Sequence, residues 1–207
     1  AYGWLEFNHN IYLDVIAGLA TNEYKTNRVI NVNQIHTAAQ ADFDGTQFGI
    51  QSDLGWLLFK DENSYLSPFA RLRYTYLDLE DYTESGANDF NLSVNNHNPD
   101  EFLGGLGLKF GMEIPCPKQN MLYVPEVSAL VAYDFDNDGE QTIAGFIGGG
   151  PQFATNGVRP GRTILNLDVG LNTYIAQEGI ITVKYDLEWR EKFTSNAVYL
   201  QYNYLFG

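Results

Sequence analysis

Asp134, Asp136, Asp138 and Gly139 stand in the run DFDNDG, where oxygen donors alternate ahead of a turn glycine. That spacing resembles the first half of a calcium loop, but Gly145 occupies the place where the loop needs its bidentate glutamate. The three aspartates are therefore a weak metal candidate and read better as an acidic loop tip. His9, His36 and His97 all fall in turns or loops, and a rim hydrolase would set His36 or His97 beside acids such as Asp89 or Asp100. No GxSxG nucleophile motif accompanies them, and Cys116, the single cysteine, lies in a Pro115-Cys116-Pro117 turn. These residues point to no catalytic pair and no cofactor, so the chain reads as a protein that is not an enzyme.

The remaining chemistry is that of charge laid along strands. Between Ile180 and Arg190, Ile181, Val183, Tyr185, Leu187 and Trp189 alternate with Thr182, Lys184, Asp186, Glu188 and Arg190. Successive strand side chains point to opposite faces, so one face is apolar and the other is mostly charged. The same alternation puts Asp14, Gln47, Gln51, Asp53, Arg71, Arg73, Lys109, Glu126 and Asp168 on the polar faces of earlier strands. In a soluble barrel the charged face meets water, whereas in a membrane barrel the apolar band meets lipid and the charges line the lumen. Periodicity leaves both open.

Length and connections favour the membrane case. The chain has 207 residues, 20 of them glycine, with 14 Tyr, 13 Phe and 3 Trp. No apolar run reaches the roughly 18 to 20 residues of a membrane helix. A net charge of −14 offers no basic face for nucleic acid. About nine amphipathic strands are legible, most with about nine or more residues in register, which suits a tilted crossing of a bilayer. Their connections alternate: short at Asn8, long near Asn33, short at Asn63, long near Asn91, short at Pro117, long near Gly149 and short at Glu178. The polar Thr194-Ser195-Asn196 reads as a last short turn. Outer-membrane barrels show this alternation of short periplasmic turns and long external loops.

Four stretches, Phe43-Asp44-Gly45-Thr46-Gln47-Phe48-Gly49, Ser67-Pro68-Phe69-Ala70-Arg71-Leu72-Arg73-Tyr74, Tyr82-Thr83-Glu84-Ser85-Gly86-Ala87 and Arg159-Pro160-Gly161-Arg162, resemble the autotransporter β-domain, in that family's order. The resemblance implies an all-β fold, a transmembrane antiparallel up-and-down β-barrel of 12 strands in the Gram-negative outer membrane. Residues 1–207 resemble roughly its last nine strands, lacking the first strands, the linker helix and the passenger. It further implies a translocator of type V secretion that anchors and exports an N-terminal passenger, with the lumen-facing charges around a helix or passing chain. The implied partners are outer-membrane lipid and lipopolysaccharide, the barrel assembly machinery and the upstream passenger. Leu200, Tyr202, Tyr204 and Phe206 resemble the family's aromatic assembly signal, although Gly207 follows. A general outer-membrane pore or surface adhesin, and a soluble lipocalin-like binding barrel, are the alternative readings.

Overall fold

The computed structural model describes residues 2–7, 10–60, 63–96, 98–118, 120–137, 139, 141–175 and 179–204. The positions of Asn8, His9, His97, Asp138, Glu178 and Phe206 lie outside the described residues. Among the described residues nine strands form the main sheet, β1 (Tyr2–Phe7), β2 (Ile11–Val32), β3 (Ile35–Trp56), β4 (Ser64–Leu79), β5 (Asp100–Met112), β6 (Met121–Asp134), β7 (Thr163–Ile175), β8 (Gly179–Arg190) and β9 (Phe193–Tyr204). Each pairs antiparallel with its sequence neighbour, so sheet order follows chain order. This is the up-and-down topology of a β-barrel wall, and no described helix is long and apolar enough to cross a membrane.

The sheet curls, and the reason lies in what its two faces carry. Leu106, Leu108, Val131, Val169, Leu171 and Leu200 point outward and stay exposed, because no second layer covers them among the described residues. Toward the rim with the long connections the outer face turns aromatic, at Phe48, Tyr74, Phe102, Tyr133, Phe135 and Trp189. Phe135 packs against both Phe102 and Tyr133 at ring separations of 5.7 and 5.2 Å. An apolar band with an aromatic edge is how a barrel meets hydrocarbon and interface.

The concave face closes around rings and glycines. Tyr12, Tyr65 and Phe69 each lie directly opposite a glycine on the next strand, Gly55, Gly111 and Gly107. A methyl group at any of these glycines would stand within 2.1 to 2.4 Å of the ring. The absence of a side chain lets each ring lie flat on the neighbouring strand and draws the sheet inward. Below the mouth, Phe69, Leu103, Leu130, Ala132 and Ile164 form a small buried apolar cluster on this same face.

Three local readings need correction. No long loop interrupts the chain near Asn33, because β2 and β3 run 22 residues each in unbroken register to a turn at Asn33 and Gln34. The polar stretch lacks an apolar period, but the ladder needs only backbone groups and continues. Asn33 takes the turn's left-handed backbone, at φ 50°. The final hairpin turns at Glu191-Lys192, with Lys192 at φ 65°, and Thr194-Ser195-Asn196 already belongs to β9. Ile114–Cys116 is a short strand paired with Met121 to Tyr123, so the turn follows Cys116 rather than containing it.

The long connections fold together. Tyr82–Thr83, Leu92–Asn95, Gln141–Phe146 and Phe153–Asn156 make a second, four-stranded sheet. An isolated bridge between Gln40 and Ser85 joins it to the β2–β3 ribbon. Gly86, at φ 101°, passes so near the ribbon that a Cβ would lie 2.7 Å from the carbonyl oxygen of Ala38. Phe43 stacks between Tyr24 and Tyr82.

Candidate functional site

Strand register decides which charges meet. Asp53 of β3 stands opposite Arg71 of β4, and the guanidinium donates to both carboxylate oxygens, Nε to Oδ1 at 2.8 Å and Nη2 to Oδ2 at 2.7 Å. Gln51 lays its amide beside this pair. On β7 and β8, Lys184 reaches Asp168 at 2.8 Å, and the Ser128 hydroxyl donates to the same carboxylate at 2.8 Å. Asp186, opposite Asp168, accepts from the Asn166 amide at 2.8 Å. Glu126 accepts from the Tyr65 phenol and from the Asn172 amide. Asp14 accepts from the Tyr2 phenol at 3.2 Å.

Nearer the long connections, two arginines and three acids form one network. Arg73 contacts Glu101 at 3.0 Å and Glu188 at 3.5 Å. Arg190 contacts Glu101 at 3.0 Å, Glu188 at 3.1 Å and Asp134 at 3.7 Å. The Arg73–Glu188 contact joins β4 to β8 across three intervening strands, which the curl alone makes possible. Glu101 was absent from the expected set although it continues the Leu103, Gly105, Gly107, Lys109 face. That extension of the period by one step was the signal available.

These side chains bound two hollows of the inner wall. The one toward the short turns, about 190 Å³, is lined by Asp14, Gln51, Asp53, Arg71, Lys109, Glu126, Asp168 and Lys184 among others. The other, about 310 Å³, lies at the mouth and includes Gln47, Glu101, Asp134, Asp136 and Arg190. Between them the buried apolar cluster is overlaid by Arg71, Arg73, Asn166 and Glu188.

The acidic run meets arginine here. Asp134 is buried and in contact with Arg190, and its carboxylate accepts from the backbone amide of Asp136 at 3.2 Å. Arg162 donates to the carbonyls of Asp134 and Phe135 at 3.2 Å each, and to that of Asn137 at 3.3 Å. Asp134 is thus a wall residue at a strand end rather than part of an exposed acidic tip. Among the described residues no group of three or more His, Cys, Asp or Glu is placed to hold a metal. His36 pairs with Asn31 at 3.0 Å near the ribbon tip.

On the β2–β3 ribbon, Arg28 grips Glu84 through Nε at 3.1 Å and Nη2 at 2.5 Å, and also donates to the Phe90 carbonyl at 2.8 Å. These bonds hold the Glu84 carboxyl below its ordinary value despite burial, and the Leu92 amide adds to the effect. On β9, Leu200, Tyr202 and Tyr204 project outward and are well exposed. Among the described residues, the outer edges of β1 and β9 have no strand partner.

Residues 1–186 match the family model described as Autotransporter beta-domain. Two relatives, each called outer membrane protein A, come from Rickettsia conorii and Rickettsia rickettsii, and each is 26% identical over 198 residues. The alignments cover 84% of this chain but 10% and 9% of those proteins, so the chain spans about a tenth of the length of the curated relatives it matches.

Proposed function

From the premise that this chain belongs to the autotransporter β-domain family, we propose that it anchors and exports an N-terminal passenger to the cell surface. Membership places it in the Gram-negative outer membrane as a translocator barrel. The observation that carries the export reading is the inner wall, where Arg71, Arg73, Lys184 and Arg190 are each neutralised by a carboxylate of the wall itself. A wall whose charges are mostly satisfied internally lets a polypeptide lodge or pass without strong adhesion. Among the described residues the outer edges of β1 and β9 have no strand partner, which supports further strands closing the wall between them, since unpaired backbone is not tolerated in hydrocarbon.

The outward series Leu200, Tyr202 and Tyr204 on the last described strand supports recognition by the barrel assembly machinery. The aromatic edge by the long connections sits where lipopolysaccharide headgroups would meet it. A second reading, a surface adhesin, is favoured by the folded sheet that the long connections build above the membrane.

Protease added to intact cells expressing the full-length protein tests the reading. The expected result is cleavage of upstream residues at the surface together with a heat-modifiable barrel in the outer membrane and little steady conductance in planar bilayers. Upstream residues protected until the cells are lysed, with steady conductance, would replace export by a general pore.

A further inference from the structure

The outer strand of the second sheet, Phe153–Asn156, ends on an asparagine that is followed by glycine. Asn156-Gly157 is the single Asn-Gly step in the chain. A backbone amide nitrogen can close on the side-chain carbonyl of the asparagine before it, and a glycine there puts no Cβ in the way. A fold suppresses this by tying that nitrogen into a ladder and burying the side chain. Here it does neither. The ladder ends with Gln141 opposite Asn156, so Gly157 lies beyond it, and among the described residues its amide has no hydrogen-bond partner. All four strand residues and Gly157 are exposed. The Asn156 side chain is held by one bond, in which Gln141 Nε2 donates to Oδ1 at 3.2 Å. That donor polarises the carbonyl that would be attacked. The side-chain nitrogen Nδ2, which would leave, has no partner among the described residues. Asp44-Gly45 offers a similar pair with water as the leaving group, but Gly45 is locked between Asn22 of β2 and Leu79 of β4.

We propose that Asn156 is a site of self-modification, converted to aspartate and isoaspartate through a cyclic imide formed with Gly157. The Gly157 nitrogen attacks the Asn156 Cγ, a new C–N bond closes the succinimide, and the Cγ–Nδ2 bond breaks. Nδ2 departs as ammonia, taking the proton that the Gly157 amide gives up. Water then opens the imide at either carbonyl. Opening at the main-chain carbonyl leaves isoaspartate, with the backbone rerouted through Cβ, and opening at the side-chain carbonyl leaves aspartate. Either product adds a negative charge. Isoaspartate also lengthens the backbone at the last ladder pair, where the alternation that sets Asn156 beside Gln141 depends on standard spacing. The outer strand of the second sheet is thereby loosened at its end as the molecule ages.

Full-length protein assembled in outer membranes, held at neutral pH and growth temperature and digested at intervals, tests this. Mass spectrometry follows the exchange of the Asn156 amide for a carboxylate, and enzymatic methylation marks isoaspartate. A synthetic peptide of residues 152–160 under the same conditions is the reference. The expected result is loss of Asn156 at a rate within about ten-fold of the peptide's, with isoaspartate among the products, while Asp44 and the other asparagines react more slowly. Gly157→Val should slow the loss by about ten-fold or more, and Asn156→Gln should leave no isoaspartate at that position. Heat-modifiability reports whether each variant assembled, and the comparison of wild type with the peptide stands without either variant. An Asn156 that outlasts the peptide by much more than about ten-fold overturns the proposal. So does aspartate formed without isoaspartate, a rate indifferent to residue 157, or a loss no faster than at Asp44 and the other asparagines.

Discussion

At the level of single residues, the wall is governed by which charges lose their partner when one is removed. Arg71 and Asp53 are mostly enclosed, with side chains 14% and 12% exposed. Arg71→Ala leaves the Asp53 carboxylate without its bidentate donor and should cost about 3 kcal/mol in denaturant unfolding from detergent micelles. Replacing both together, Arg71→Met with Asp53→Leu, should return most of that loss, because the desolvation of both charges disappears with them. A double variant as unstable as the single one would mean that the site needs the charges for more than mutual neutralisation. The side-by-side placement of Asp53 and Arg71 follows from two alternating strands once their register is fixed, and alternation alone put both on the polar face. The register itself was not legible. It depends on the turns, so the meeting of Arg73 with Glu188 across three strands emerged only from the paired strands.

Among the elements, the β2–β3 ribbon departs most from its sequence pattern. The continuous outward apolar series stops at Leu19 on β2 and begins at Phe48 on β3, with Val29 standing alone beyond it. A tilted strand crosses the bilayer in about 9 to 11 residues, so about half of each 22-residue strand stands outside it. Polar composition there concealed a regular ladder, because period two is visible only where one face is greasy. The ribbon is braced through Glu84, which is 6% exposed. Its carboxyl is held low in the folded state, so its stabilising contribution is complete above the ordinary glutamate value of about 4.3. That contribution is lost as pH falls through the lowered folded value. Amide protection at Ser85 and Leu92, corrected for intrinsic exchange, should therefore hold from neutral pH to about 5 and fall in stronger acid. Glu84→Gln should show weaker protection at neutral pH and little further loss on acidification. Equal acid sensitivity in both proteins would assign the brace to other carboxyls.

For the molecule as a whole, the decisive property is the reversal of faces, with exposed leucines outside and buried carboxylates within. The alternation and the unequal connections revealed the barrel wall, whereas the second sheet stayed hidden because its strands are short and pair between distant loops. Leu167, outward near the middle of the apolar band, and Val29, outward on the projecting ribbon, are both exposed. Leu167→Arg should destabilise the barrel in lipid vesicles by about 2 to 4 kcal/mol. Val29→Arg should stay within about 0.5 kcal/mol of wild type. Equal effects at the two positions would remove the lipid boundary from between them.

The unbroken pairing from Ile11–Trp56 to Val32–Ile35 also has a mechanical consequence. The same two strands are wall at one end and mast at the other, with no hinge between them. A sideways load at the Asn33 tip is resisted first at the Gln40–Ser85 bridge and the Arg28 grip, which act as stays. If the stays slip, the torque passes along the ladder as twist into the wall beside Tyr12 and Asp53. Whatever pulls on the ribbon tip thereby tugs on the inner wall itself.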